Sequence, residues 1–496
     1  MRCKAIIPFV AVVAWLVTVS VHGQSFQGGL RGAARDTTGG ALPGVSLTLT
    51  NEATGVARTS TTNEVGEYAF AAVTPGDYTI TATLQGFKSF ERKSITIGTQ
   101  QFLTLDFTME TGNLTEQVVV TAGAPLVETS NASTGEVLSK TVLETLPSQN
   151  RNAFLMSVSV PTVVASGDAA YNRMQDQGGA SAVSLGGGAV RANNYLLDGV
   201  SFAALDNRPA MFPGIESLQE LKVQVHTYDA EMGRTGGGVF NATARSGSND
   251  WHGSGFVQNR PVWGITNGFF AERAGLPKSE DTKYWLGGGS LGGPIAKSRT
   301  FFWLSTEDYL DQRATSGLLI FPTDRERRGD FSQTLDRNGN LVVIYDPLTT
   351  RPNPNGSGFV RDPFSSNVIP ANRLSQTGLA IANLFPKPDV DRSGASGQAN
   401  FVRTALLRSK GYQGSTKLEH KLTDRVSLTG LYSYQKTSEP DSMYWDVNQF
   451  ADSRNFTSLR PVHLVALNNT ILASETTAIK GPPAGRVRAS SSRVSI

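Results

Sequence analysis

The chain has 496 residues, enough for about three domains. Its 45 Lys and Arg against 42 Asp and Glu leave a formal charge of +3, too little for a protein whose main task is nucleic-acid binding. A mean hydropathy of −0.20 excludes a bundle of membrane helices, and 51 glycines with only 18% charged residues point to β structure. Cys3 is the sole cysteine, and His22, His226, His252, His420 and His463 are scattered along the chain. A disulfide within the chain, a Cys-based zinc site and an HExxH motif are therefore excluded, and the sequence calls for no cofactor and no metal.

Arg2 and Lys4 precede an uncharged run from Ala5 to Val21, followed by Val21-His22-Gly23. A basic start, an apolar stretch and a small residue at the end predict a cleaved secretory signal over residues 1–23. No later run reaches ~18 apolar residues, so any return to a membrane must be made by a closed β-barrel.

Residues 26–111 read as short strands separated by turns, the pattern of a β-sandwich. Val45, Leu47 and Leu49 alternate with Ser46, Thr48 and Thr50. Thr74-Pro75-Gly76-Asp77 is a turn before the alternating run Tyr78–Leu84. The stretch GGLRGAARDTTGGALPGVSLTLTNEATG, continued by TNEVGEYAFAAVTPGDYTITATLQGFK, resembles a carboxypeptidase regulatory-like domain. The resemblance implies a sandwich without peptidase chemistry, serving mainly as a structural spacer.

A linker, residues 112–123, follows. It contains Glu116-Gln117-Val118-Val119-Val120-Thr121-Ala122. Such a β-branched run is either the last strand of the sandwich or a free extended segment offered to another protein's sheet edge. Its position resembles that of the TonB box of TonB-dependent outer-membrane transporters.

Residues 124–249 carry four further segments: LPSQNRN from Leu146, NNYLLDGV from Asn193, IESLQELKV from Ile215, and GRTGGGVFNATARSG from Gly233. Ser139–Leu146 reads as a helix ended by Pro147, Asp198-Gly199 as a turn after an apolar strand, and Ile215–Val223 as a short helix feeding a strand. Gly236-Gly237-Gly238 permits close backbone packing or a positive φ. Together these segments resemble the plug domain of TonB-dependent receptors, with the Oar-like subgroup nearest. The resemblance implies plug–barrel contacts, for which Glu220, Glu231, Arg234 and Arg245 are the candidates.

From residue 250 the hydrophobic period is two. Tyr412, Gly414, Thr416 and Leu418 alternate with Gln413, Ser415 and Lys417, and a second such strand starts at Val426 beyond Thr423-Asp424. One face bears aromatics and the other is largely polar, as in a membrane barrel. Trp251–Gln258, Tyr284–Ile295 and Thr300–Tyr309 read as earlier strands, and the Pro- and Gly-rich stretch 313–408 as a long outer loop. Residues 250–456 are thus expected to be the N-terminal part of an outer-membrane barrel, and 457–496 an atypical tail without strand pattern. Transporter barrels of about 22 strands need more chain than this, so the barrel is expected to be cut short.

Gly288-Gly289-Ser290-Leu291-Gly292 matches GxSxG but lacks the strand-turn-helix setting of a nucleophile elbow. Asp389–Gly394 begins like a calcium loop, yet Asn400 stands at the twelfth position. No catalytic residue is assigned. The expected fold is mainly β: an N-terminal sandwich, an α/β plug and a partial antiparallel transmembrane barrel. The family resemblance implies energy-coupled uptake, with a TonB-type periplasmic partner, outer-membrane lipid, an unidentified extracellular ligand and no nucleic acid. The alternative is a secreted or periplasmic binding or adhesion protein built on the sandwich.

Overall fold

The computed structural model describes residues 26–113, 117–120, 135–146, 151–165, 183–204, 207–225, 235–264, 266, 269, 283–440, 457–473, 478–480, 484–489 and 492–494. The expected signal segment, with Cys3, lies outside them.

The first unit contains β1 (Gly28–Asp36), β2 (Ser46–Asn51), β3 (Ala57–Thr61), β4 (Glu67–Val73), β5 (Gly76–Thr83), β6 (Ser89–Ile97), β7 (Phe102–Thr104) and β8 (Phe107–Met109). One sheet runs β4-β1-β7, with β8 also paired to β1. The other runs β3-β2-β5-β6 and is extended by β9 (Gln117–Val120), which lies parallel to β6. Alternation places Val45, Leu47, Leu49, Ile80 and Ala82 between the sheets, fully buried. Phe90 of β6 stacks on Phe107 of β8 with ring centroids 4.5 Å apart, joining the two layers.

The second unit is an α/β sheet. Its elements are β10 (Gly135–Ser139), α1 (Lys140–Thr145), α2 (Ala153–Met156), β11 (Val163–Ala165), β12 (Val183–Leu185), β13 (Asn194–Leu197), β14 (Val200–Ser201), β15 (Leu218–Val225) and β16 (Gly238–Ala244). The sheet order is β10-β15-β16-β13-β14. The Ser139 hydroxyl caps α1 by accepting from the Val142 N–H. Asp198 and Gly199 both have positive φ, 46° and 81°, which makes the tight turn between β13 and β14. Tyr195, Phe240 and Phe154 form the aromatic centre, with Tyr195 stacked on Phe240 at 5.0 Å. The Gly triplet works by close approach: a Cβ on Gly238 would stand 2.4 Å from the Gln224 carbonyl oxygen of the neighbouring strand.

The third unit is one antiparallel sheet of long strands: β17 (His252–Arg260), β18 (Lys283–Ala296) and β19 (Thr300–Leu319), then, after a long loop, β22 (Phe401–Lys421), β23 (Val426–Pro440) and β24 (Thr457–Leu472). The loop holds α3 (Asp324–Arg327), the small ribbon β20 (Arg351–Pro352) and β21 (Phe359–Val360), and α4 (Gln376–Leu384). Short segments β25 (Ala478–Lys480), β26 (Ala484–Ala489) and β27 (Ser492–Val494) pair with β24.

The predicted hairpin is present, Lys410–Lys421 opposite Ser427–Ser438. Its polar face is the buried one. Gln413, Ser415, Lys417, Ser433 and Gln435 are inside, whereas Tyr412, Leu418 and Tyr432 are about half exposed on the outer face. This inverts a soluble protein and is the layout of a barrel wall with lipid outside. The α/β unit packs against the inner face, where Leu431, Val462, Leu464 and Ala466 join its apolar core.

Three expectations change. The stretch 313–408 is not all loop: β19 runs on to Leu319 and β22 starts at Phe401, leaving the loop as 320–400. The barrel does not stop at Phe456, because β24 pairs with β23 along its whole length. The tail also contains strands. In β24 the inward Val462, Leu464 and Ala466 touch the plug core while Val465 and Leu467 face outward, so both faces are apolar and the period of two is hidden. Ser290 of the GxSxG match sits in mid-strand, opposite Ser254 of β17 and Ser305 of β19.

Candidate functional site: the plug and its two interfaces

The 3-10 turn Ile215–Ser217 carries Glu216 into the wall, where it is 5% exposed. Its Oε1 accepts from Arg151 Nη2 at 2.7 Å, and its Oε2 lies 3.5 Å from Arg245 Nη1. The wall closes the shell: Ser254 Oγ donates to Oε2 at 2.6 Å, and Trp303 Nε1 donates to the Glu216 carbonyl at 2.9 Å. Arg245 follows β16 directly, pairs also with Glu144 in the last turn of α1, and lies over the Trp303 ring at 5.4 Å. Arg151 lies over Phe256 at 4.0 Å. A buried charge needs this density of partners, since desolvating an unpaired one is prohibitive. Gly214 lies close against the wall here: a Cβ would stand 2.6 Å from the Glu307 carboxylate, which would have to shift.

A second lock joins the β13–β14 turn to β22. Asp198 Oδ1 accepts from the Ala244 N–H at 2.8 Å, and Oδ2 lies 3.0 Å from Lys417 Nζ. Lys417 also donates to the Ala244 carbonyl at 2.8 Å, and Asn468 of β24 donates to the Asp198 carbonyl at 3.1 Å. Gln435 of β23 accepts from the Phe212 N–H at 3.1 Å.

The opposite side of the plug sheet meets the sandwich. The β6–β7 turn enters here, with Thr99 and Gln100 buried. The Thr99 N–H donates to Glu220, its hydroxyl is 2.5 Å from that of Thr243, Lys222 Nζ donates to the Gln100 carbonyl at 3.0 Å, and Asn241 Nδ2 donates to Gln100 Oε1 at 3.2 Å. Burial pushes the Glu220 carboxyl up from its ordinary range, against the lowering hydrogen bonds from Thr99. Asn249 ties this end of the wall to the sandwich, its N–H donating to the Ala53 carbonyl at 2.9 Å and its side chain accepting from the Ser298 N–H at 2.8 Å. The sandwich therefore sits at the short-turn end of the wall, and the 320–400 loop lies at the other.

Of the four predicted plug–barrel contacts, Arg245 reaches the wall through Trp303. Glu220 instead touches the sandwich, because successive side chains of a strand point to opposite faces and Glu220 lies on the face away from the plug's apolar core. Glu231 and Arg234 lie outside the described residues, as do Glu116, Thr121 and Ala122 of the linker motif. Gln117–Val120 form β9, an edge strand of the sandwich sheet and not a free segment. The sequence reading missed Glu216, Arg151, Asp198 and Lys417. Glu216 stands inside a segment already singled out, and Lys417 on the polar face of a predicted wall strand, but nothing local to either names its partner. Among the described residues no group of three or more His, Cys, Asp or Glu is placed to hold a metal ion.

The comparisons agree with this architecture. A family model described as "Outer membrane beta barrel domain" matches residues 243–481, and one described as "Carboxypeptidase regulatory-like domain" matches residues 29–110. The TonB-dependent transporter Oar of Myxococcus xanthus is 27% identical over 260 residues, half of this chain and 23% of that protein. The chain thus spans less than a quarter of the curated relative that it matches. It is similar in structure to the outer membrane transporter YddB from Escherichia coli (12% identity, TM-score 0.42, 68% of this chain and 37% of that one). The siderophore receptor PirA from Acinetobacter baumannii gives 14% identity and a TM-score of 0.30, over 68% of this chain and 45% of that one. The class so defined is an outer-membrane β-barrel protein, mainly β, with a sandwich, a plug and part of a barrel wall. Within it, half of the chain is similar to the TonB-dependent transporter Oar.

Proposed function

We propose that the chain takes part in energy-coupled uptake of an extracellular ligand through a plugged barrel. The observation that carries this reading is the seating of the plug on the wall through buried charged groups: Asp198 pairs with Lys417 of the wall, and Glu216, paired within the plug with Arg151 and Arg245, accepts from Ser254 of the wall. A permanent core is more stable with apolar groups at such places. Buried ion pairs suit a unit that must seat in one register and come out again.

In this reading the segment Glu116–Ala122 is the handle for a TonB-type periplasmic partner, which pairs with it as an added strand. The 320–400 loop faces the outside and takes part in ligand capture. It holds a cleft of about 390 Å³ lined by Arg325, Arg337, Arg392, Glu326 and Asp336. The relatives are transporters and receptors, and the described residues suggest no covalent chemistry.

The test is binding of the full chain, in detergent, to the periplasmic domain of a TonB-type protein. Native chain should bind. Val119→Pro, which removes a backbone donor from the handle, should reduce binding at least tenfold. No binding by the native chain, or equal binding by the variant, overturns the reading.

A further inference from the structure

One strand of the sandwich touches both moving parts of the proposed device. The first half of β6 pairs with β9, with Ser89 opposite Gln117, Phe90 opposite Val118, Glu91 opposite Val119 and Arg92 opposite Val120. The second half ends at Ile97 and turns directly into Gly98–Gln101, whose Thr99 and Gln100 are buried in the plug sheet. That contact consists of specific hydrogen bonds to Glu220, Thr243, Lys222 and Asn241, two residues on each of β15 and β16. These are the central strands of the plug sheet, so the turn grips the plug at its middle, from the side opposite the apolar core. The grip is polar and buried. Separating it exposes every donor and acceptor to water at once, so it holds while docked and re-forms only in one register.

We propose that the sandwich is a clamp on the plug: the β6–β7 turn pins β15 and β16, and β6 at the same time stores residues 117–120 on its edge. The spacer role expected from the sequence is thereby replaced by a holding role. The plug is anchored twice, to the wall through Glu216 and Asp198 and to the sandwich through Thr99 and Gln100. Its release requires both anchorages to open. The storage half of this proposal rests on reading 116–122 as the handle. The pinning half does not.

Hydrogen exchange on the full chain in detergent tests the pinning. Thr99→Val/Gln100→Gly should speed exchange of the Leu218–Val225 amides at least tenfold, while Leu47–Leu49 and Tyr78–Ala82 keep their protection. Unchanged exchange at Leu218–Val225 overturns the clamp. Thr99→Cys/Thr243→Cys guards against simple misfolding, because the two hydroxyls already meet at 2.5 Å. Its oxidised form should exchange at least tenfold more slowly over Leu218–Val225 than its reduced form, and equal rates overturn the clamp.

The storage half is tested with Glu91→Cys/Val119→Cys and the periplasmic domain of a TonB-type protein. The reduced variant should bind and the oxidised one should not. Equal binding by both forms overturns storage on β6. If neither the native chain nor the reduced variant binds, the handle reading and the storage built on it fall, while the exchange experiments still decide the pinning.

Discussion

Lys417 of the barrel wall and Asp198 of the plug turn meet at 3.0 Å with side chains only 3% and 0% exposed. They lie more than two hundred residues apart in the chain and join the plug to the wall. Lys417→Met leaves Asp198 charged, buried and without its cation. The cost should be about 3–5 kcal/mol of plug–wall stability. Asp198→Asn/Lys417→Met should recover most of it. Denaturant unfolding of the single and double variants measures the difference, and equal loss in both would contradict the pairing.

Glu216 serves two arginines and the Ser254 hydroxyl together. Glu216→Gln keeps the shape but strands the positive charge of Arg151 and Arg245 at the plug–wall seam. It should loosen the seating of the plug and raise leakage of small solutes through vesicles carrying the protein. Arg151→Met should have a smaller effect, because Arg245 remains on Glu216. A leak in Arg151→Met as large as that in Glu216→Gln would count against Glu216 as the hub.

Gly247 lies where the chain leaves the plug for the wall. A Cβ there would meet the Phe302 carbonyl oxygen at 2.4 Å and that of Gly293 at 2.7 Å, both fixed in the sheet. Gly247→Ala should therefore destabilise by about 1–3 kcal/mol, as overpacking against backbone does. Gly255, which has open space around its Cβ position, is the control: Gly255→Ala should leave the melting temperature nearly unchanged.

Glu220 gives the sandwich–plug contact a pH dependence. Burial raises its carboxyl above the ordinary range, opposed by Thr99 and Lys222 and assisted by Asp77. For an acid raised in the docked form, the stabilisation is complete below the undocked value and is lost as pH rises through the docked one. Protection of Leu218–Val225 should therefore fall as pH rises above the ordinary glutamate range. Glu220→Gln should flatten that trend, and a trend of opposite sign would refute it.

Asn367 organises the outer loop. Its Oδ1 accepts from the Ile344 N–H at 2.7 Å, and its Nδ2 donates to the carbonyls of Phe331 at 2.6 Å and Val342 at 2.9 Å. Asn367→Ala leaves these groups without partners, at about 1–3 kcal/mol for a buried unsatisfied group. Limited proteolysis should cut within 320–400 faster in the variant, while β19 and β22 stay intact.

Local order was legible in the chain itself. Alternation of Val45, Leu47 and Leu49 forces a strand with one buried face, Asp198-Gly199 forces a tight turn, and the Tyr412–Gln435 pattern forces a hairpin with unlike faces. These are period-two sterics and turn chemistry, which act over a few residues. The tertiary structure decided what the faces meet. Lys417 and Gln413 read as polar strand residues whether they point to water or to a plug. Glu216 and Glu220, four residues apart, carry the same side chain and go to different partners, Glu216 to the wall and Glu220 to the sandwich. The reason is physical: a charge becomes an anchor only when burial removes its water, and burial is set by units that meet across one to three hundred residues of chain.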